Sequence, residues 1–156
     1  MSEAMSVTKT VMVPADAGKA FDVFVARMGK WWPKSHSILQ NEVQDVVVEL
    51  KPEGRWYEHD GQGNEADWGY VKSFERGDHL LLCWQLTADW ARDEALDTEV
   101  YVTFESKGDM TEVTLTHRLL ENYGDRAAEM KAAFEAPNAW ADMMTSFAER
   151  FDALAA

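Results

Sequence analysis

The side chains that could carry chemistry in this chain are four histidines, one cysteine, scattered carboxylates and seven tryptophans. His36, His59, His79 and His117 stand in different segments and form no H-x-x-x-H pair, so no metal is expected. Cys83 has no local nucleophile signature, and catalysis through it is not expected. The sequence has no G-x-G-x-x-G, no phosphate loop and no G-x-S-x-G. Nucleotide binding and serine hydrolysis are therefore unsupported, and no cofactor is expected. What remains is His117, Glu58 and the aromatic residues.

Strand alternation decides which of these can point inward. Over residues 111–120, Val113, Leu115, His117 and Leu119 share one face. His117 is then either a core histidine bonded to backbone or tryptophan, or a polar anchor in a ligand cavity. Over 54–60, Trp56, Glu58 and Asp60 share a face. With Trp56 inward, Glu58 either pairs with His117 or His36 or stays protonated; otherwise it is an exposed strand-end carboxylate. This is the one acid–base constellation the sequence offers. Over 79–87, Leu80, Leu82, Trp84 and Leu86 share a face, leaving Cys83 with His79, Leu81 and Gln85. Trp31, Trp32 and His36 lie on a segment that either gates the open end of the fold or plugs it. Trp140, Met143 and Met144 read as core, although adaptable methionines also suit an apolar ligand.

The elements that must position these residues follow from periodicity. Residues 7–13 are β-branched and predict a strand ended by Pro14. Asp16 caps a helix running to about residue 28, broken by Gly29. Six strands follow, over 43–50, 54–60, 65–75, 79–87, 97–106 and 111–120, separated by turn residues at antiparallel-meander spacing. A helix is expected over 125–135. After Pro137 comes a longer one over 138–155, with Trp140, Met144, Phe147, Phe151 and Leu154 as its apolar stripe. The economical packing is a curved antiparallel sheet around that last helix, an α+β arrangement with room for a cavity.

The 156 residues carry a net charge of -13 and suit one domain spanning 1–156. That charge argues against nucleic-acid binding and against attraction to anionic membranes. The apolar runs are too short for membrane insertion, and the N-terminus shows no basic-then-apolar signal pattern. A single cysteine cannot form an intrachain disulfide, so a reducing, cytoplasmic setting is expected.

Several stretches carry a family resemblance: Val13-Pro14-Ala15-Asp16, Trp31-Trp32-Pro33-Lys34-Ser35-His36-Ser37-Ile38, Glu53-Gly54-Arg55-Trp56-Tyr57-Glu58, Trp68-Gly69-Tyr70-Val71, Leu80-Leu81-Leu82-Cys83-Trp84 and Val113-Thr114-Leu115-Thr116-His117-Arg118. In this order the chain resembles the START-like (SRPBCC) superfamily, in the branch named after the C-terminal domain of the activator of heat shock protein 90 ATPase. It departs at Glu53-Gly54, where that pattern has paired glycines, and at Ala139-Trp140, where glycine precedes the tryptophan. The resemblance implies a helix-grip fold with a hydrophobic cavity between helix and sheet; it does not imply one function. Binding of an apolar or lipid-like small molecule is the first expectation, with Trp31, Trp32, His36, Trp56, Glu58, Trp68, Trp84, His117, Trp140 and Met144 around it. A co-chaperone module comes second, supported by the acidic stretch Asp89, Asp93, Glu94, Asp97 and Glu99 that could meet a basic partner such as a chaperone. A cyclase- or hydratase-like enzyme using Glu58 and His117 is third, so binding ranks ahead of catalysis.

Overall fold

The computed structural model describes residues 5–32, 45–89 and 91–155. Strand β1 (Val7–Val13) runs into Pro14, and the Asp16 carboxylate then accepts from the Lys19 amide at 2.8 Å, capping helix α1 (Ala17–Ala26). Helix α1 buries Ala20, Phe21, Val23, Phe24 and Val25 on one face. The break falls at Arg27, ahead of the expected Gly29, and a short helix α2 (Met28–Trp31) runs through that glycine. Close approach explains the residue. A Cβ at Gly29 would run into the Asp45 carboxylate and the Val46 backbone.

The predicted meander forms as β2 (Asp45–Val48), β3 (Arg55–His59), β4 (Glu65–Glu75), β5 (His79–Trp84), β6 (Thr98–Lys107) and β7 (Met110–Arg118). With β1 they make one seven-stranded antiparallel sheet, ordered β1-β7-β6-β5-β4-β3-β2 and curled into a half-barrel. The first strand lies beside the last, with Val7 opposite His117 and Val13 opposite Thr111. Register shifts at Trp56/Tyr57 and Val71/Ser73 mark bulges, which bend a sheet locally. Trp56 lies opposite Gly69, where any Cβ would strike the Cys83 carbonyl.

Three strands stop more than one residue short of expectation, β2 at Val48 among them. Strand β5 stops at Trp84, and Leu86 continues only as an isolated bridge to Arg92. The inward alternation of β7 stops at Arg118. Leu119 takes a left-handed conformation (φ 62°) and is half-buried, so Leu120 becomes the fully buried residue. A 3₁₀ stretch over Leu120–Arg126 then leads into helix α3 (Ala127–Glu135), two residues later than predicted.

Helix α4 (Trp140–Ala155) buries Trp140, Met143, Met144, Phe147 and Phe151. It packs across β1 and against α1, α2 and α3. Phe147 meets Phe24 edge-on at 5.2 Å, and the Ser146 hydroxyl donates to the Trp31 carbonyl at 2.7 Å. This is the α+β helix-grip arrangement the pattern predicted.

The Lys51–Gly54 turn contains a conformational penalty. Glu53 sits at φ 61°, where a side chain costs about 1 kcal/mol relative to glycine. Glycine's greater freedom in the unfolded chain offsets part of the relief. Glu53→Gly is expected to stabilise the protein by about 0.5 kcal/mol, read as a higher urea midpoint; a lower midpoint would show that the carboxylate matters more than the backbone.

Candidate functional site

Four strands and two helices each contribute an inward ring. Strand β3 supplies Trp56, β4 Trp68, β5 Trp84 and β7 His117, while Trp31 and Trp32 come from the end of α2 and Trp140 opens α4. None is more than 6% exposed. Trp32 lies on Trp68 at 4.8 Å between centroids and meets Trp140 edge-on at 5.7 Å. Trp56 contacts Trp68 at 5.4 Å and Trp84 at 5.5 Å. Trp84 continues to Trp140 at 5.6 Å and His117 at 5.2 Å. Phe134 of α3 closes the far side, 4.4 Å from the His117 ring. Edge-to-face and tilted contacts of this kind add to simple area burial. Met144 is buried on the same helix as Trp140. Of the residues singled out in the sequence, His36 lies outside the described residues.

His117 is fully buried, and both ring nitrogens are engaged. The Trp140 indole N–H donates to Nδ1 at 3.1 Å. Nε2 and the Thr98 hydroxyl lie 3.0 Å apart, and that hydroxyl donates to the Trp84 carbonyl at 2.9 Å. With the hydroxyl proton directed to the carbonyl, Nε2 carries the imidazole proton. Burial lowers the pKa to about 3, so the ring is neutral at pH 7. A proton acceptor whose lone pair already holds an indole N–H is poorly placed for acid–base work. The bond to Trp140 is the core-histidine pattern considered above.

Glu58 is also fully buried, so it is not the exposed strand-end carboxylate of one sequence reading. Its Oε1 accepts from the Trp68 indole N–H at 2.9 Å. Of the alternatives the sequence left for Glu58, pairing with His117 is not made, because Thr98 and Trp140 take both nitrogens of His117, and His36 lies outside the described residues. Asp60, next on that face, accepts from the Gln62 and Asn64 amides and shapes the following turn.

The opposite face of β5 is occupied as well. Cys83 is buried there with Sγ 3.4 Å from the Asp97 carboxylate, and burial, followed by that carboxylate, pushes the thiol up to about 12. Such a thiol is unreactive at neutral pH. Lys72 bridges Asp97 and Glu99 at 2.8 and 2.7 Å, and Arg118 holds Glu99 at 2.8 Å. Asp89 pairs with Arg126, and Glu94 approaches Arg92. Much of the acidic stretch noted in the sequence therefore already meets cations of its own chain. At the β4–β5 turn, ligand atoms of Glu75, Asp78 and His79 lie within 4.8 Å of one another, a grouping that a search for paired histidines overlooks. The His79 ring is already engaged by Asp78 and Ser73.

Sequence reasoning missed Thr98, although alternation through Val100, Val102 and Phe104 would have placed it inward. It also missed an imbalance among the tryptophans. The N–H groups of Trp31, Trp68 and Trp140 have partners in the Phe24 carbonyl, Glu58 and His117. Those of Trp56 and Trp84 are buried without one. The Trp84 N–H lies toward the Tyr123 hydroxyl but outside hydrogen-bond geometry.

A curled antiparallel sheet that grips its last helix defines a helix-grip protein. The chain belongs to the family described as Activator of Hsp90 ATPase homolog 1-like protein, whose pattern matches residues 15–152. No curated protein matches the chain. Among solved structures it is similar to the anthrahydroquino-gamma-pyrone synthase Txn09 complexed with SUM, with 30% identity, 96% of this chain and 99% of that one covered, and a TM-score of 0.64. It is also similar to CalC, a self-sacrificing resistance protein from Micromonospora echinospora, with 27% identity, coverage of 95% and 94%, and a TM-score of 0.70. The Aha1 dimer from Colwellia psychrerythraea shares the fold at 15% identity and a TM-score of 0.59, covering 94% of this chain and 95% of that one.

The buried imidazole makes stability pH-dependent in a defined direction. An unfolded histidine titrates near 6.5 and the folded ring near 3, so below pH 6.5 the unfolded state binds more protons and stability falls. The loss is about 1.4 kcal/mol per pH unit, or about 2 kcal/mol by pH 5. Urea unfolding of the wild type and His117→Gln at pH 7 and pH 5 checks this; the variant is expected to lose most of the difference. An equal pH 7-to-5 loss in both proteins would remove His117 as its source.

Proposed function

We propose that this protein is a binding domain for a small, largely apolar ligand held between helix α4 and the sheet. The observation that carries the reading is the continuous set of indole rings, Trp32, Trp56, Trp68, Trp84 and Trp140, lying where the helix faces the sheet. Rings pooled in this way offer flat apolar walls with a few polar atoms at fixed places, as small-molecule sites do. Two similar structures support the reading through what they are, a synthase solved as a complex and a resistance protein.

The rings touch one another, so a guest exchanges ring–ring contact for ring–guest contact. Trp32, the most exposed of the set at 6%, is the ring most readily displaced. Met143 and Met144 beneath α4 provide unbranched side chains that can repack around the guest. Catalysis is the weaker reading, since the buried Glu58 carboxyl already accepts from Trp68, Asp60 is used in shaping its turn, and His117 is neutral and bonded at both ring nitrogens. A chaperone partner draws on the family name rather than on this surface, where Lys72, Arg118 and Arg126 already hold acidic groups.

Nile red, an uncharged apolar dye, provides the test. Saturable one-to-one binding is expected, with quenching of tryptophan emission and a bound mass in native mass spectrometry. Trp68→Ala is expected to weaken dye binding at least tenfold while the protein stays folded by near-UV circular dichroism. Absence of saturable binding to the folded wild type would overturn the reading.

A further inference from the structure

The imbalance of hydrogen-bond donors bears on what kind of guest the interior accepts. A buried N–H without an acceptor destabilises by about 1–3 kcal/mol, and the indoles of Trp56 and Trp84 both stand in that condition on rings 5.5 Å apart. The Trp56 ring is 1% exposed and enclosed by Trp32, Trp68 and Trp84. Acceptors on the same face receive other donors: Glu58 Oε1 from Trp68, His117 Nδ1 from Trp140 and the Trp84 carbonyl from Thr98.

Charge narrows the class further. Among the described residues, the buried polar and charged side chains are Glu58, Asp60, Gln85, Thr98, Thr111 and His117. None is lysine or arginine, and the histidine is neutral. A carboxylate or phosphate brought into this interior would lose its hydration with no buried cation among the described residues to replace it, a far larger cost than burying a neutral carbonyl. Glu58 adds a carboxyl to the same face as Trp56.

We infer that the ligand is an uncharged, flat molecule bearing a carbonyl-type acceptor that receives the Trp56 N–H, and that fatty-acid and phosphorylated lipids are excluded. This rests on the ligand-binding reading above and specifies its chemistry. The ring supplies the apolar contact, while the unmet indole N–H supplies the directional one.

Three probes of nearly one shape separate the terms: fluorene, 9-fluorenone and fluorene-9-carboxylate, each read by displacement of Nile red. In the wild type, fluorenone is expected to bind about fivefold more tightly than fluorene, the worth of one neutral hydrogen bond. Fluorene-9-carboxylate is expected to bind at least tenfold more weakly than fluorenone. Trp56→Phe keeps a ring and removes the donor, so the ketone's advantage is expected to vanish while fluorene changes little. Equal affinity for ketone and hydrocarbon, preference for the carboxylate, or no displacement by any probe from a protein that binds Nile red would overturn the inference and leave ligand binding intact. A ketone advantage that survives in Trp56→Phe would overturn the assignment to that N–H. Failure of folded protein to bind Nile red itself would overturn the underlying reading instead. The wild-type comparison decides the chemistry of the guest even where the variant does not fold.

Discussion

The structure turns on one short relay of hydrogen bonds. The Trp140 indole N–H meets His117, His117 meets the Thr98 hydroxyl, and that hydroxyl meets the Trp84 carbonyl. Each member lies on a different element, so the relay joins α4, β7 and β6 through side chains and β5 through a backbone carbonyl. It is fully buried, and a satisfied buried network specifies one arrangement where apolar contacts alone would tolerate several. The proton on Nε2 fixes the ring orientation, and that orientation sets where Trp140 can lie. The aromatic interior is therefore organised around a polar pin. The neutrality of the pin is a consequence of its depth.

From that pin the rest of the architecture follows. Helix α4 is tied to β7 at its first residue, through Trp140 and His117, and farther along to the end of α2, through Ser146 and the Trp31 carbonyl. The outer face of the sheet is held differently. Lys72 and Arg118 share Glu99, and Asp97 sits over Cys83. Burial alone would raise the Glu99 carboxyl, but the hydrogen bonds from Lys72 and Arg118 prevail and hold it below its ordinary value. Apolar rings inside and ion pairs outside divide the sheet into two chemically separate surfaces.

Residue alternation made the inner face legible before any coordinates. Trp56 with Glu58, Leu80 with Leu82 and Trp84, and Val113 with Leu115 and His117 all turn inward together, as a period of two requires. The stripe Trp140, Met144, Phe147, Phe151 was equally plain, because no other element carries so long an apolar face. Partner choice was not legible. Whether His117 meets Glu58 or Thr98 depends on cross-strand register, and bulges at Trp56/Tyr57 and Val71/Ser73 alter that register locally without an obvious sequence signal. The helix break at Arg27 and the left-handed turn at Leu119 also escaped, since neither residue type demands those conformations. Gly29, read as a helix breaker, instead admits a neighbouring strand.

The environment of Cys83 has a practical corollary. The chain's one sulfhydryl is shielded from solvent and held in its protonated form beside an aspartate. Alkylating reagents attack thiolates, so the native protein offers them almost no target. A cysteine introduced anywhere on the exterior would then be the single site modified by maleimide. Spectroscopic reporters can be attached one at a time without first removing the natural residue from its place beneath Asp97.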